Sequence, residues 1–446
     1  MVLLSKDNKH CRIFVNVCRW LLALVLMLAG FLKAVDPVGG MYKLQEYAVA
    51  FSLSGITDGQ LLAVAVLQAA IEFLTGIFLL MGVYRAVVPF VAFLMMLLFT
   101  PFSLYVWVGG IVNDCGCFGE SVAMSNGVTF AKNLLLLLFA TVAFVGRSRF
   151  VGNLSRHTRW LFALLSIVYI FSLQFIAIKH LPLVDFGPYA VGGNMRSKVE
   201  YIPDEYEEMA ICYKPGEEGE FFVPADSVMS GEWELKCYTE VLVTPGTEPE
   251  IGNFSILDWD SDIEFADELL ADTGYVCIVV IEDVETASVT HIDKINDLYD
   301  YCVENSMRFC AASSSYGDEV LQWAKRTGAE YPVYWGDKAM LRSMLRANPG
   351  LLLLKDGMIV GKWAASDIPG IEELERNAAL KPNADVSFYE RMQDWQFWVV
   401  VLSGMLFLFL LVDSLCVGFC YIVRTKISRK RKRDSIESEM NLSDMN

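Results

Sequence analysis

The chain has 446 residues, of which 54% are apolar and only 20% charged, with 28 Phe and 10 Trp. Such a composition excludes a disordered or collagen-like chain and points to a membrane protein. A formal charge of −17 argues against a general nucleic-acid binder. The four histidines, His10, His157, His180 and His291, form neither an HxH nor an HxxxH pair, so no histidine-built metal site is expected.

Charge is unevenly placed along the chain. Residues 180–395 hold 41 acidic and 16 basic side chains, a net of −25, which leaves 20 basic against 12 acidic elsewhere. That division reads as membrane spans plus one acidic soluble region. A span needs about 20 mostly apolar residues. Six stretches meet that demand: 13–35, 60–83, 86–108, 130–146, 160–178 and 397–423. The first carries a basic start like that of a signal peptide, but its apolar run is too long and lacks a small-x-small cleavage site, so it is read as an uncleaved helix.

Each span reverses the side of the next loop, so the basic clusters test the six-span order. The basic N-terminus, Arg85, the group Arg147, Arg149, Arg156 and Arg159, and the run 424–433 all fall on one side, expected to be the cytoplasm. The loops 33–59 and 109–129 and the acidic region 180–395 are then placed outside. In a bacterium with two membranes this is an inner-membrane protein with both termini cytoplasmic and residues 180–395 periplasmic. The expected domains are a membrane unit, 1–179; an acidic β-rich segment, 180–255; an α/β domain, 256–395; the sixth span, 396–423; and a basic then acidic tail, 424–446.

The outer loop between spans three and four reads Asp114-Cys115-Gly116-Cys117-Phe118-Gly119-Glu120. Alpha carbons two residues apart lie within about 7 Å, the upper edge of what a disulfide bridges, and Gly116 gives the backbone freedom to reach it. A strained bridge of this kind is easily reduced, which suits an exchanging pair. A structural loop disulfide, a partial metal site and two unrelated thiols are the competing readings. Glu72, about 18 Å into span two at 1.5 Å per residue, is a candidate proton relay with Gln68 one turn away on the same face. The competing reading is a protonated packing residue. Asp413 raises the same question in span six, and Cys416 and Cys420 read as interior filling there.

Between 181 and 253 short alternating runs suggest a small β region, in which Cys212 and Cys237 are candidates for a structural disulfide. Beyond it the pattern predicts strand 275–281, helix 289–305, strand 307–312, helix 317–328, an extended run 331–335, helix 337–346 and strands 351–355 and 358–363 joined by the turn Asp356-Gly357. A last helix is expected over 368–379. Cys277, Cys302 and Cys310 fall inside these elements and read as inert packing residues.

The run DCGCFGE after a third span, with Lys132-Asn133 opening the next helix, resembles the MauE branch of the DoxX-like membrane proteins. FLKAVDP after the first span, and Glu72 followed by Gly76 and Gly82, fit the same pattern over the first 150 residues or so. HLPLVDFGPYAVGGNM resembles the larger relatives that append a periplasmic thioredoxin-like domain, and NPGLLLLKDGMIVGKW resembles the cis-proline strand and hairpin of that fold, with Pro349 as the cis residue and part of a client surface. The position of the usual CxxC reads Glu282-Asp283-Val284-Glu285, so no dithiol activity is expected of this domain.

The resemblance implies a helical membrane bundle with a thioredoxin-like outer domain. It implies an association with methylamine utilisation through assisted disulfide formation in a periplasmic protein, and with quinone-coupled sulfur chemistry. Cys115 and Cys117 inherit the redox role, passing electrons from periplasmic thiols to a quinone or another membrane carrier, with no metal. The alternative is a non-enzymatic membrane scaffold whose outer domain recruits partners. A small-solute transporter is a third class, disfavoured because no span is visibly broken near its middle.

Overall fold

The computed structural model describes residues 9–372, apart from short breaks at 113, 121–123, 151, 153, 155–157, 214–218, 225–233 and 253, and residues 399–405, 408–409 and 412. The chain divides into two compact units. One comprises residues 1–186 with 383–446, the other residues 187–382.

The first unit contains α1 (Lys9–Val35), α2 (Pro37–Ala50), α3 (Asp58–Met81), α4 (Val88–Gly109), the short strand β1 (Cys117–Glu120), α5 (Asn126–Val145) and α6 (Arg159–Lys179). Five of these helices, α1 and α3 to α6, are long and apolar enough to cross a membrane. Of the expected sixth span, residues 399–405 are helical, and Ser403 Oγ hydrogen-bonds Tyr169 Oη of α6 at 3.1 Å. Asp413, Cys416, Cys420 and the last outer helix, apart from its first residues, lie outside the described residues.

The helix ends follow local chemistry. Thr57 and Gln60 form a reciprocal capping box at the start of α3, and Gly82 closes that helix in the left-handed region. The loop 33–59, expected only as an outer connection, holds α2. Asp36 caps this helix by accepting from the Gly39 amide at 2.8 Å, and Pro37 supplies a first residue that needs no amide donor.

The closest packing lies between α1 and α3. A β-carbon on Gly30 would stand 2.3 Å from the Phe73 backbone nitrogen, and one on Gly76 would stand 2.3 Å from that of Met27. The two backbones therefore touch without intervening side chains, the arrangement small residues permit between membrane helices. This antiparallel contact brings Lys33, one turn beyond Gly30, level with Glu72, one turn before Gly76. Near the other end of α1, Asn16 donates to the Arg149 carbonyl at 3.2 Å, and Gly152 lies against Arg85 and Arg159, so basic residues collect there.

The second unit begins with α7 (Met195–Val199). A three-stranded antiparallel sheet follows, formed by β2 (Glu205–Tyr213), β3 (Phe221–Pro224) and β4 (Glu234–Thr244), with β2 in the middle. Cys212 is buried, whereas Cys237 is exposed and lies opposite Ile211, the neighbour whose side chain takes the other face. With their side chains on opposite faces of the sheet, the two thiols do not meet in the suggested Cys212–Cys237 bridge.

The remaining elements are β5 (Ile256–Leu257), α8 (Ala266–Ala271), β6 (Tyr275–Ile281), α9 (Ile292–Glu304), β7 (Arg308–Ser313), α10 (Asp318–Thr327), β8 (Val333–Gly336), α11 (Lys338–Met344), β9 (Gly350–Lys355) and β10 (Met358–Ala364). They build one six-stranded sheet in the order β10-β9-β6-β7-β8-β5. The β6, β7 and β8 neighbours are parallel, whereas β9 runs antiparallel to both β6 and β10. Asp356 and Gly357 both take positive φ, as the tight β9–β10 turn requires. The Asn348–Pro349 peptide is cis.

The α1–α3 contact leaves no room for added atoms. Gly76→Val should lower the melting temperature of the detergent-solubilised protein or abolish its accumulation, because overpacking typically costs about 1–3 kcal/mol. Gly59→Ala, where a β-carbon meets nothing within 4 Å, should leave both readouts unchanged.

Candidate functional site

The CGC loop packs against α1 and α2. Its shape comes from two glycines in the left-handed region, Gly116 at φ 62° and Gly119 at φ 64°. Asp114 accepts a hydrogen bond from the Gly116 amide at 3.0 Å, which closes the turn between the two cysteines.

α2 holds that turn in place. Lys43 Nζ bridges Glu46 at 2.8 Å and Asp114 at 2.9 Å, and Tyr47 Oη donates to the Cys115 carbonyl at 3.3 Å. Burial tends to lower the Lys43 pKa, but its bonds to Glu46 and Asp114 prevail and raise it. The Tyr47 hydroxyl is pushed up, first by burial and then by Cys115. Its ring packs on Phe102 and Phe51, and Phe51 stacks on Tyr105, so an aromatic surface adjoins Cys115.

The two sulfur atoms lie 3.8 Å apart, both as free thiols. Their acidities diverge. Cys117 is pushed down to about 6, first by its hydrogen bond with Cys115 and then, against the cost of burial, by the charges of Lys132 and Lys33; Glu72 acts in the opposite sense. Cys115 is pushed up by the same hydrogen bond and by burial. These opposed directions favour ionisation at Cys117 over Cys115. Lys132 also reaches the loop through Phe118, with Nζ 4.4 Å from the ring centroid.

Glu72 is only 2% exposed and is not an isolated acid. Lys33 Nζ contacts both of its carboxylate oxygens, at 2.7 and 2.9 Å, and Gln68 Nε2 donates to it at 3.2 Å. The Gln68 contact follows the expected helical spacing. Lys33 lies in the last turn of α1. The sequence reading did not single out Lys33, although two opposite charges inside adjacent apolar helices should pair. The structure therefore brings Cys115, Cys117, Lys132, Lys33 and Glu72 into one electrostatic neighbourhood.

Pro349 belongs to the second unit, at the entrance to β9. Beside it Asn348 Nδ2 donates to the Asp283 carbonyl at 3.0 Å. The end of β6 carries ion pairs and no thiols: Arg342 Nη2 meets Glu282 at 2.7 Å, and Lys338 stands 3.5 Å from Glu282 and 3.6 Å from Asp283. Among the described residues no cluster of three or more His, Cys, Asp or Glu side chains is arranged to hold a metal ion.

Five membrane-length apolar helices with a paired-cysteine loop at one end define a multi-pass membrane protein. Residues 11–146 match the family model described as "Methylamine utilisation protein MauE". The match spans α1 to α5 with the CGC loop and does not extend into the second unit. No curated protein and no solved structure matches the chain.

If Lys132 holds Cys117 ionised, the alkylation rate of Cys117 in a Cys115→Ser background should fall in Lys132→Gln. The loss should be about threefold or more near pH 6, the equivalent of half a pKa unit. The rate-against-pH curve should move upward and not merely shrink in height.

Proposed function

We propose that the protein is a membrane thiol–disulfide redox protein. It takes electrons from protein thiols outside the cytoplasmic membrane and passes them to a quinone or another membrane carrier. The observation that carries this reading is the 3.8 Å cysteine pair with opposed acidities. The MauE match supports a place in methylamine utilisation, and the step we assign to the protein there is disulfide formation in a partner protein.

In the oxidised form Cys115 and Cys117 share a disulfide. A client thiolate attacks the Cys115 sulfur and Cys117 departs, because the lower-pKa thiolate is the better leaving group. The client's second thiolate then attacks its own sulfur in the mixed disulfide and releases Cys115, which takes up a proton. One client disulfide forms, one protein disulfide becomes two thiols, and two electrons now reside on the pair.

Reoxidation needs an acceptor and a route for protons. A quinone, when bound, supplies a sink for two electrons and two protons. The aromatic faces of Tyr47, Phe51, Phe102 and Tyr105 beside Cys115 fit a flat apolar ring. Glu72, held by Lys33 at 2.7 Å, is the proposed proton acceptor for the thiols.

The second unit is proposed to be a thioredoxin-like client-binding domain in the periplasm. Its strand order and directions support that reading. The Glu282–Arg342 pair at the end of β6 favours recruitment over thiol chemistry there, as in the scaffold alternative. The collection of Arg85, Arg149 and Arg159 at the end of the bundle away from the CGC loop supports a cytoplasmic basic face and an outer loop.

The test is a redox cycle on purified protein in nanodiscs without oxygen. Dithiothreitol should reduce the Cys115–Cys117 bridge, and a soluble quinone should reoxidise it, both followed by maleimide mass shift. Cys115→Ser and Cys117→Ser should each abolish turnover. A bridge that resists mild reductant would make it structural and leave the scaffold. Glu72→Gln should slow reoxidation about 100-fold or more, the lower end of lost proton-transfer catalysis, while the pair still reacts with dithiothreitol.

A further inference from the structure

The second unit holds another cysteine pair that the redox loop does not use. Cys277 on β6 and Cys302 on α9 are 2% and 0% exposed, with their sulfur atoms 3.7 Å apart. Two separate periodicities produce this meeting. On β6 the alternate residues Cys277, Val279 and Ile281 point into one core, and on α9 Ile292, Ile295, Leu298 and Cys302 form the buried stripe that faces it. No spacing rule joins the two residues, which are 25 apart in the chain.

We propose that Cys277 and Cys302 form a disulfide that staples α9 to the central strand β6. The sulfurs need to close only from 3.7 Å to about 2.05 Å. The proposal rests on the outer, oxidising location of this unit, where neighbouring thiols are normally paired. The oxidant is a protein disulfide of that compartment. One cysteine attacks it, the second resolves the mixed disulfide, and the new S–S bond is balanced by reduction of the oxidant's S–S bond to two thiols. Because the finished pair is buried, oxidation belongs to folding, before the β6–α9 core closes.

Cys310, whose register partner is Ile278 and which is pushed up to about 12 by burial, takes no part. A bridge over 25 residues restricts the unfolded chain and so favours the folded unit.

The experiment uses the full chain in its native membrane. Cells are quenched in acid, the denatured protein is capped with N-ethylmaleimide without reductant, and peptides are read by mass spectrometry. The expected result is a linked Cys277–Cys302 peptide that disappears after phosphine reduction, with Cys310 capped throughout. Wild-type protein in detergent should melt about 5–10 °C lower after reduction, and Cys277→Val with Cys302→Ala should lose that response. Both cysteines capped before reduction would overturn the pairing, and a linked peptide without a reductant-sensitive melting temperature would overturn the staple. Cys237, which is exposed, reports the location independently. Its labelling by an impermeant maleimide in spheroplasts places the unit outside, and failure to label would sink the location, distinct from the chemistry.

Discussion

The backbone contact between α1 and α3 governs the membrane unit. Gly30 and Gly76 let the two helices approach until main-chain atoms touch, and that distance is what permits Lys33 to reach both oxygens of Glu72. An acid buried in an apolar span is costly unless a partner meets it, and here the partner comes from the neighbouring helix at the level fixed by the glycines. The charged pair then lies close enough to the CGC loop for both members to act on Cys117.

The loop depends on a second layer of support. α2 contributes Lys43 and Tyr47, α5 contributes Lys132, and all three converge on a stretch of only a few residues. The two cysteines are chemically identical in sequence. They become unequal because the hydrogen bond between them lowers Cys117 and raises Cys115, and because the charges of Lys132 and Lys33 also favour the Cys117 thiolate. An unequal pair has a direction, with one sulfur to be attacked and one to leave.

Much of the fold was legible before any coordinates. Apolar runs located α1 and α3 to α6 within a few residues, because a membrane span needs length and little else. From β6 onward the strands and helices of the second unit were legible from alternation and from the Asp356-Gly357 turn, whereas the short elements α7, β5 and α8 were not. α2 was missed because Pro37, Gly39 and Gly40 read as loop punctuation, whereas Asp36 and Pro37 in fact start a helix. α5 begins at Asn126, ahead of the expected Phe130, since polar residues can occupy a first turn without changing hydropathy. Cys115, Cys117 and the Glu72–Gln68 contact were visible as motif and spacing. Lys33 opposite Glu72 and Cys277 opposite Cys302 were not, because each pair is made by the packing of two elements and leaves no pattern within either.

The left-handed backbone at Gly116 has a consequence of its own. A methyl group there would also stand 2.9 Å from Cγ of Lys43, so the residue between the sulfurs is dictated twice, by handedness and by the lysine stem beneath it. Neither demand involves sulfur. A descendant that lost both thiols yet retained α2 would still be confined to glycine at this point, and the surviving glycine would testify to the helix below it and say nothing about whether electrons still cross the turn.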